Sequence, residues 1–325
     1  MKNKTRIGIV GYGNLGKAAE INIAQQEDLE LVCVFSRRNP EHIPSKVSVY
    51  PYEAIPNFKD KIDVMLLCGG SAKDLPVQSL EIAQYFNTVD SFDNHAEIPK
   101  YFEALNNVAQ THNTLSMLST GWDPGLFSMM RLLGESILPK GKTYTFWGKG
   151  LSQGHSDAIR RIEGVKYAAQ YTLPDEKVLE EVRAGKLSDF QAQDMHQRIC
   201  YVVLDTHGDA PFIEKEIKTM PNYFEPYYTE VHFISEKEFI SQHQHMSHGG
   251  KVLRSGFSSE NTHQLLEFNL KLDSNPEFTS SVLVAYARGV HALYKDGKKG
   301  AISVFDMPLG YLSPKSASTL RKELL

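Results

Sequence analysis

The chain opens with a short apolar run, Arg6–Val10, that leads directly into Gly11-Tyr12-Gly13-Asn14-Leu15-Gly16. Asn14–Gln26, which follows and overlaps it, is compatible with a helix. A G-x-G-x-x-G sequence says little alone, but between a buried strand and a helix it is the fingerprint of a dinucleotide-binding βαβ unit. The first glycine permits a tight turn and the second lets the backbone approach a pyrophosphate. The third allows close contact between helix and strand, and the helix N-terminus offers free N–H groups to the anion. A glycine-rich turn without a ligand is the alternative, and it leaves the flanking strand and helix unexplained.

The same alternation continues through the first third. Leu29–Phe35, Ile62–Cys68, Thr88–Ser91 and Thr114–Ser119 read as strands, and Leu75–Phe86 and Ile98–His112 as helices. Parallel strands need crossovers, so this order predicts an α/β, Rossmann-type, doubly wound parallel sheet. The middle differs. Thr143–Trp147, Val165–Thr172, Ile199–Leu204, Thr229–Ile234, Lys251–Ser255 and Gln264–Leu272 read as longer alternating strands, with helical segments at Asp175–Ala184 and Pro211–Met220. That pattern predicts a second, α+β domain on a mixed or antiparallel sheet. A long helix, Asn275–Tyr294, is expected to pack back on the first domain, and Lys295–Lys299 reads as a solvated turn. At 325 residues, two domains are expected. The expected division is 1–120, with 275–325 returning to it, and 121–274 for substrate binding and dimerisation.

Composition narrows the partners. Lys plus Arg number 35 and Asp plus Glu 39, a net charge of −4, which argues against nucleic acid because phosphate binding calls for a basic surface. Cys33, Cys68 and Cys200 are far apart within apolar runs and read as buried free thiols, as in a reducing cytoplasm. No stretch approaches the ~18 apolar residues of a membrane span. Lys2 and Lys4 precede an apolar run, but it stops at Gly11, too soon for a signal peptide.

The end of the second strand selects the cofactor. An NAD site carries an acid there for the ribose 2′-hydroxyl, whereas this chain has Ser36-Arg37-Arg38. Two guanidiniums and a hydroxyl suit a 2′-phosphate, so NADP is the expected cofactor. Gly69-Gly70-Ser71-Ala72, after the next strand, is a small, flexible turn expected beside the pyrophosphate. Two further strands end in acids, at Asp90-Ser91-Phe92-Asp93-Asn94-His95 and Ser119-Thr120-Gly121-Trp122-Asp123-Pro124-Gly125. Ligands bind at the C-terminal edge of a doubly wound sheet, which places Asp93 and Asp123 at the nicotinamide end, where two carboxylates suit an ammonium group. Helix N-caps are the alternative for each acid.

These features, with Phe146-Trp147-Gly148, Gly150–Asp157 (GLSQGHSD), Gln170–Pro174 (QYTLP), Thr219-Met220-Pro221 and His248-Gly249-Gly250, resemble the meso-diaminopimelate dehydrogenase family. The resemblance runs from residue 6 to about 313; STGWDPG and GLSQGHSD are its distinctive parts. It implies reversible, NADP-dependent oxidative deamination of the D-centre of meso-2,6-diaminopimelate, in lysine and cell-wall precursor biosynthesis. It implies that Asp93 and Asp123 bind the D-amino group, as the catalytic acids, with Trp122, Phe146 and Trp147 walling the reacting end. Gln153 and Gly154 would meet the D-carboxylate, with Asp157 nearby. Thr172, Arg198, His248 and Asn275 would hold the distal L-amino acid end. Tyr12, Gly13, Asn14, Leu15 and Ser36–Arg38, with Gly121 and Pro124, would contact the cofactor. A homodimer is also implied.

Chemistry agrees in outline, because a substrate with two ammoniums and two carboxylates needs cations and anions interleaved along one cleft. Arg198 offers a planar fork for a carboxylate; from spacing alone it reads as a surface arginine at a strand start. His243, His245 and His248 form H-x-H-x-x-H, yet no Cys or acid cluster supports a metal, and hydride transfer to NADP needs none. His248, before two glycines, reads as a pocket donor, and His155 as a residue that orients its loop. Asp93, Asp123 or a water between them takes the amine proton. The rival readings are another NADP-linked oxidoreductase acting on a sugar or semialdehyde, and a non-catalytic NADP-binding regulator.

Overall fold

The computed structural model describes residues 4–221, 223–243 and 246–325, with the backbone alone at Gln153. It divides into one unit of residues 1–129 and 276–325 and another of residues 130–275.

The first unit begins with β1 (Thr5–Val10), α1 (Asn14–Ala24), β2 (Leu29–Ser36), β3 (Val49–Pro51), β4 (Val64–Leu67), α2 (Leu75–Ile82), β5 (Asn87–Asp90), α3 (Ile98–His112) and β6 (Leu115–Met117). α4 (Leu126–Ile137) then runs from the first unit into the second. The second unit continues with β7 (Gly141–Trp147), β8 (Gly150–Ser152), α5 (Gln153–Arg160), β9 (Val165–Pro174), α6 (Glu176–Arg183), α7 (Ala192–Met195) and β10 (His196–Leu204). It ends with α8 (Ala210–Lys218), β11 (Thr229–Phe233), α9 (Glu236–Gln242), β12 (His248–Ser259) and β13 (Thr262–Leu272). α10 (Asn275–Lys295), β14 (Gly300–Ile302) and α11 (Ala317–Leu324) complete the first unit.

The first unit's sheet runs β14-β6-β5-β4-β1-β2-β3, and every pairing is parallel. Neighbours of β1 lead in opposite directions along the chain, so a crevice opens at the ends of β1 and β4, the topological switch point. Strand alternation divides the apolar residues between two cores. Val64 and Leu66 of β4 join Ala19 and Ile23 of α1 and Leu283, Ala287 and Val290 of α10. Met65 and Leu67 face the other way, onto Leu75, Ile82 and Leu105 of α2 and α3. Each of the valine, leucine, isoleucine and methionine side chains, fully buried, contributes about 1.5–3 kcal/mol. This two-sided burial is why the strands read as unbroken apolar runs. α3 ends where Asn113 turns left-handed at φ 56°, releasing the chain into β6.

The second unit's strands divide between a mixed four-stranded sheet, β11-β10-β9-β8, and an antiparallel three-stranded one, β13-β12-β7. β8, too short for a periodicity signal, links the motifs of interest. It pairs with β9, and its Leu151 N–H reaches the Ser247 carbonyl just before β12 at 3.1 Å.

Candidate active site

In the first unit, the turn after β1 is built for an anion. Gly11 lies at φ +91°, and its N–H bonds the Phe35 carbonyl at 2.9 Å. A Cβ on Gly16 would stand 2.1 Å from the Gly11 oxygen, so only glycine lets α1 start this close to the strand. A Cβ on Gly13 would meet nothing within 4 Å, leaving the first N–H groups of α1 approachable by a phosphate. Tyr12 splits its roles. Its ring is buried and its hydroxyl donates to Glu20, while its carbonyl accepts from Arg38 Nη2 at 2.5 Å. Desolvation, then the Glu20 contact, pushes the Tyr12 phenol up to about 12. Leu15 packs on the core.

A cavity of about 300 Å³ opens beside this turn, lined by Gly11, Gly13, Ser36, Arg37, Arg38, Gly70 and Asp74 among others. The Ser36 hydroxyl accepts the Arg38 N–H at 3.1 Å. Arg37 pairs with Asp74 at 2.7 Å, and the other Asp74 oxygen accepts the Gly70 N–H at 2.8 Å. These contacts hold the Asp74 carboxyl below the usual range, the Gly70 N–H chiefly. Two guanidiniums, a hydroxyl and open glycine backbone fit a dinucleotide carrying an extra phosphate. Asp74 was not among the expected residues, because an acid 37 positions after Arg37 gives no local signal.

The two acids stand on loops that leave neighbouring strands. Asp93 is exposed beyond β5, and its N–H donates to the Ser71 hydroxyl at 2.9 Å, which binds the acid's loop to the cofactor-side turn. Ala72 is exposed. Beyond β6, Trp122 is buried edge-on against Phe127, with ring centroids 5.2 Å apart. Asp123 is half-buried between Trp122 and Pro124. The Gly121 carbonyl accepts from Leu126 N at 3.0 Å, closing the turn into α4.

In the second unit, register does the assembly. Gly150, Thr172 and Arg198 lie opposite one another across β8, β9 and β10. A Cβ on Gly150 would come within 2.4 Å of the His248 ring, so that glycine admits the imidazole. Arg198, expected at an exposed strand start, is buried. β10 starts three residues earlier than the apolar pattern indicates, and Arg198 shares the inward parity of His196 and Cys200. Its Nη1 donates to Thr172 Oγ1, and its guanidinium carbon lies 4.1 Å above the Tyr227 ring. Its Nε is buried without a partner, and no carboxylate among the described residues pairs with it. Burial lowers its pKa. A buried, uncompensated cation is costly and calls for an anionic ligand.

Trp147 is oriented by a residue that sequence reasoning missed. His196 accepts the Trp147 N–H on Nε2 at 2.9 Å, and its Nδ1 faces the Ala192 carbonyl at 2.9 Å. The Nδ1–H tautomer follows, and the ring stacks on Trp147 at 5.3 Å. Burial, partly opposed by the Ala192 bond, lowers the His196 pKa to about 4. Phe146 does not wall the site: alternation along β7 sends its ring, wholly buried, into a core with Tyr144, Leu179, Val182 and Leu253. His155 hydrogen-bonds Ser152 at 2.7 Å and packs edge-on to Tyr223 and Phe224, and burial, then Arg198, lowers its pKa to about 4. It therefore orients its loop. A Cβ on Gly154 would meet nothing within 4 Å. Asp157 is exposed and paired with Arg160. Asn275 donates its N–H to Met246 O at 2.9 Å, beside the segment that carries His248. The Gln153 side chain and His245 lie outside the described residues.

Residues 121–274 match the family model of the diaminopimelic acid dehydrogenase C-terminal domain. The meso-diaminopimelate D-dehydrogenase of Lysinibacillus sphaericus is 59% identical over 322 residues, 98% of this chain and 99% of the relative. Among solved structures, the Corynebacterium glutamicum DAP dehydrogenase in complex with DAP superposes with a TM-score of 0.92, at 43% identity and full coverage of both chains. An engineered D-amino acid dehydrogenase bound to NADP⁺ does so with a TM-score of 0.87 at 41% identity, covering 99% of this chain and 100% of the other.

Proposed function

Since the chain belongs to the meso-diaminopimelate D-dehydrogenase family, we propose that it catalyses the reversible oxidative deamination of meso-2,6-diaminopimelate with NADP⁺. The D-centre loses a hydride and its amine becomes an iminium. Water adds to that carbon, and ammonium leaves to give L-2-amino-6-oxopimelate. The cofactor, when bound, supplies the hydride acceptor; what the protein's residues contribute is position and charge.

The Ser36–Arg38 run is assigned to the 2′-phosphate, and the Gly11–Gly16 turn to the pyrophosphate. Gly70, Ser71, Ala72, Gly121 and Pro124 are assigned as flanking cofactor contacts. Asp93 and Asp123 are assigned to the D-amino group. Their charges offset the cation that develops at the iminium, and one of them, or a water between them, takes the amine proton. Trp122 and Trp147 shield the reacting carbon. Gln153 and Gly154 are assigned to the D-carboxylate. Arg198 is assigned to the distal carboxylate, with Thr172, His248 and Asn275 completing that end. Residues 121–274 are proposed as the substrate-binding and dimerisation domain. Homodimerisation is supported by the long edge strand β13, where Leu265 and Leu266 are exposed. A cytoplasmic location suits the three buried free thiols.

Arg198 carries the substrate reading: a buried guanidinium with an unpartnered Nε calls for a carboxylate, and a diamino diacid brings one to the end that does not react. The test is incubation with NADP⁺ and meso-diaminopimelate, following reduced-nicotinamide absorbance and the ammonia released. Binding of NADP⁺ without turnover would instead identify a regulator. Turnover of a sugar or semialdehyde in its place would identify the other oxidoreductase reading.

A further inference from the structure

Asp90 ends β5 and is completely buried in the first unit. A buried carboxylate is costly unless donors converge on it, and here four do. Oδ1 accepts the N–H groups of Phe92 at 3.0 Å and Ser119 at 3.1 Å. Oδ2 accepts from the Tyr101 hydroxyl at 2.6 Å and the Ser79 hydroxyl at 3.3 Å. The Asp90 carbonyl takes a further N–H, that of Thr120, at 2.8 Å. One residue thus fastens the start of the Asp93 loop and the start of the Trp122–Asp123 loop, with α2 and α3 behind it.

The second loop needs the fastening. Ser119 is at φ +54°, a left-handed conformation that is unfavourable for a residue with a side chain, and its hydroxyl is buried without a partner. Its side chain therefore does nothing to hold the turn, and the N–H bond to Asp90 does. Such backbone persists only where its surroundings over-determine it. An apolar residue at position 90 would fill the space and leave the Phe92 and Ser119 N–H groups without their acceptor, with only the backbone bond from Thr120 still holding the second loop.

We infer that Asp90 is the positioning residue for both acids, its single Oδ1 setting the spacing of the loops that present Asp93 and Asp123 to the amino group. The inference rests on the assignment of those two acids to that group. Tyr101 acts one step further back, by fixing the orientation of the Asp90 carboxylate.

The experiment uses the full chain with NADP⁺ and meso-diaminopimelate. Asp90→Ala, Asp90→Asn and Tyr101→Phe are compared for kcat, KM and cofactor Kd, with rates expressed per NADP-binding site. Asp90→Ala is expected to lower kcat/KM about 100-fold, mainly through kcat, because misplacing the reacting geometry by about 1 Å has that cost. Its cofactor Kd is expected to rise by far less than kcat falls, no more than about tenfold, since the glycine turn and the Ser36–Arg38 clamp lie off the positioned loops and only the flanking Gly121 and Pro124 lie on them. Asp90→Asn keeps an oxygen that can accept both N–H groups, and should recover to within about tenfold of wild type. Tyr101→Phe should show the same kcat-weighted loss on a smaller scale. Wild-type kcat in Asp90→Ala overturns the proposal, as does an Asn variant no better than Ala or a parallel loss of cofactor affinity. Where Asp90→Ala does not fold, wild-type kinetics in both Asp90→Asn and Tyr101→Phe overturn it. Asp93→Asn and Asp123→Asn run alongside. If these keep full turnover, the assignment of the acids fails and takes this proposal with it. If they lose turnover while the Asp90 and Tyr101 variants keep theirs, the positioning role alone fails.

Discussion

Replacing Arg198 by methionine separates what this residue does for the substrate from what it does for the fold. The guanidinium is 8% exposed and its protein contacts are Thr172 Oγ1 and the Tyr227 ring face. Neither neutralises its charge. Losing a charged partner in a buried site costs about 2–5 kcal/mol, and about 1.4 kcal/mol is a factor of ten, so kcat/KM for meso-diaminopimelate should fall roughly 30- to 4000-fold. The fold should respond in the opposite sense. Methionine fills similar volume without a charge to desolvate, so ligand-free Arg198→Met should melt at or above the wild-type temperature. A simple D-amino acid with an apolar side chain leaves the wild-type guanidinium unpaired. Against Arg198→Met that penalty is gone, and kcat/KM for such a substrate should rise or fall far less. The assay is initial rates of NADP⁺ reduction for both substrates in both proteins, with thermal melts of the apo forms. A parallel fall for both substrates would falsify the distal assignment and put Arg198 at the reacting end or in the scaffold. A lowered melting temperature without ligand would show that its contacts with Thr172 and Tyr227 outweigh the buried charge.

Arg37→Ala and Arg38→Ala should each weaken NADP⁺ about 10- to 100-fold and leave NAD⁺ nearly unchanged, given roughly 1.5–3 kcal/mol per charge-assisted bond; equal losses for both cofactors in equilibrium titrations would remove the phosphate clamp. Asp93→Asn and Asp123→Asn should each lower kcat/KM for meso-diaminopimelate more than about tenfold while NADP⁺ affinity holds within a few-fold, because charge and not shape is removed; full turnover in both would leave these acids as caps. Deamination should rise with pH above neutrality, because the reacting amine must be neutral and such groups titrate at roughly 8–10, whereas reductive amination should peak lower. A deamination optimum below about pH 7 contradicts that proton accounting. His155 and His196 have pKa values depressed from 6.5 to about 4, so the unfolded chain takes up their protons first as the solution acidifies. The stability they contribute is complete above pH 6.5 and lost as the pH falls towards 4, a slope in thermal melts that His196→Gln should flatten.

The readable parts of this chain are those where local signals and tertiary burial agree. Ile98–His112 was legible to the residue, because its amphipathic pattern ends at Asn113, which takes the left-handed cap. The glycine turn was legible because each glycine answers a separate steric demand. β14 was not: three residues carry no period, and the strand exists because it pairs with β6. Arg198 shows a deeper limit. Hydrophobic periodicity treats an inward-facing charge as the end of a strand, so the residue proposed for the distal carboxylate reads from sequence as an exposed boundary. The Phe146–Trp147 pair errs the other way. Adjacent aromatics read as one wall, although alternation within β7 already requires one of them to turn away. Asp90, Tyr101 and Ser119 meet from a strand, a helix and a loop, and no spacing in the sequence announces such a meeting.

The two ends of the proposed substrate are recognised by different physics, and the difference bears on how specificity arises. At the reacting end the acids sit at exposed or half-buried loop ends, where water screens them and their attraction for a ground-state ammonium is modest. What they supply is charge at a fixed place, which favours the iminium more than the bound amine. At the proposed distal end the Arg198 cation is buried, stacked and without a counter-charge among the described residues, so it would reward a carboxylate strongly and penalise its absence by nearly as much. On that proposal, selection of a diamino diacid over simpler D-amino acids comes from the unpaired guanidinium that a wrong substrate leaves behind. The binding energy released there holds a centre on which the distal end performs no chemistry. On this account, substitutions at the distal end should reshape substrate preference without altering the pH dependence of the chemical step. Those at Asp90, Asp93 and Asp123 should slow the chemical step for every D-amino acid the enzyme accepts.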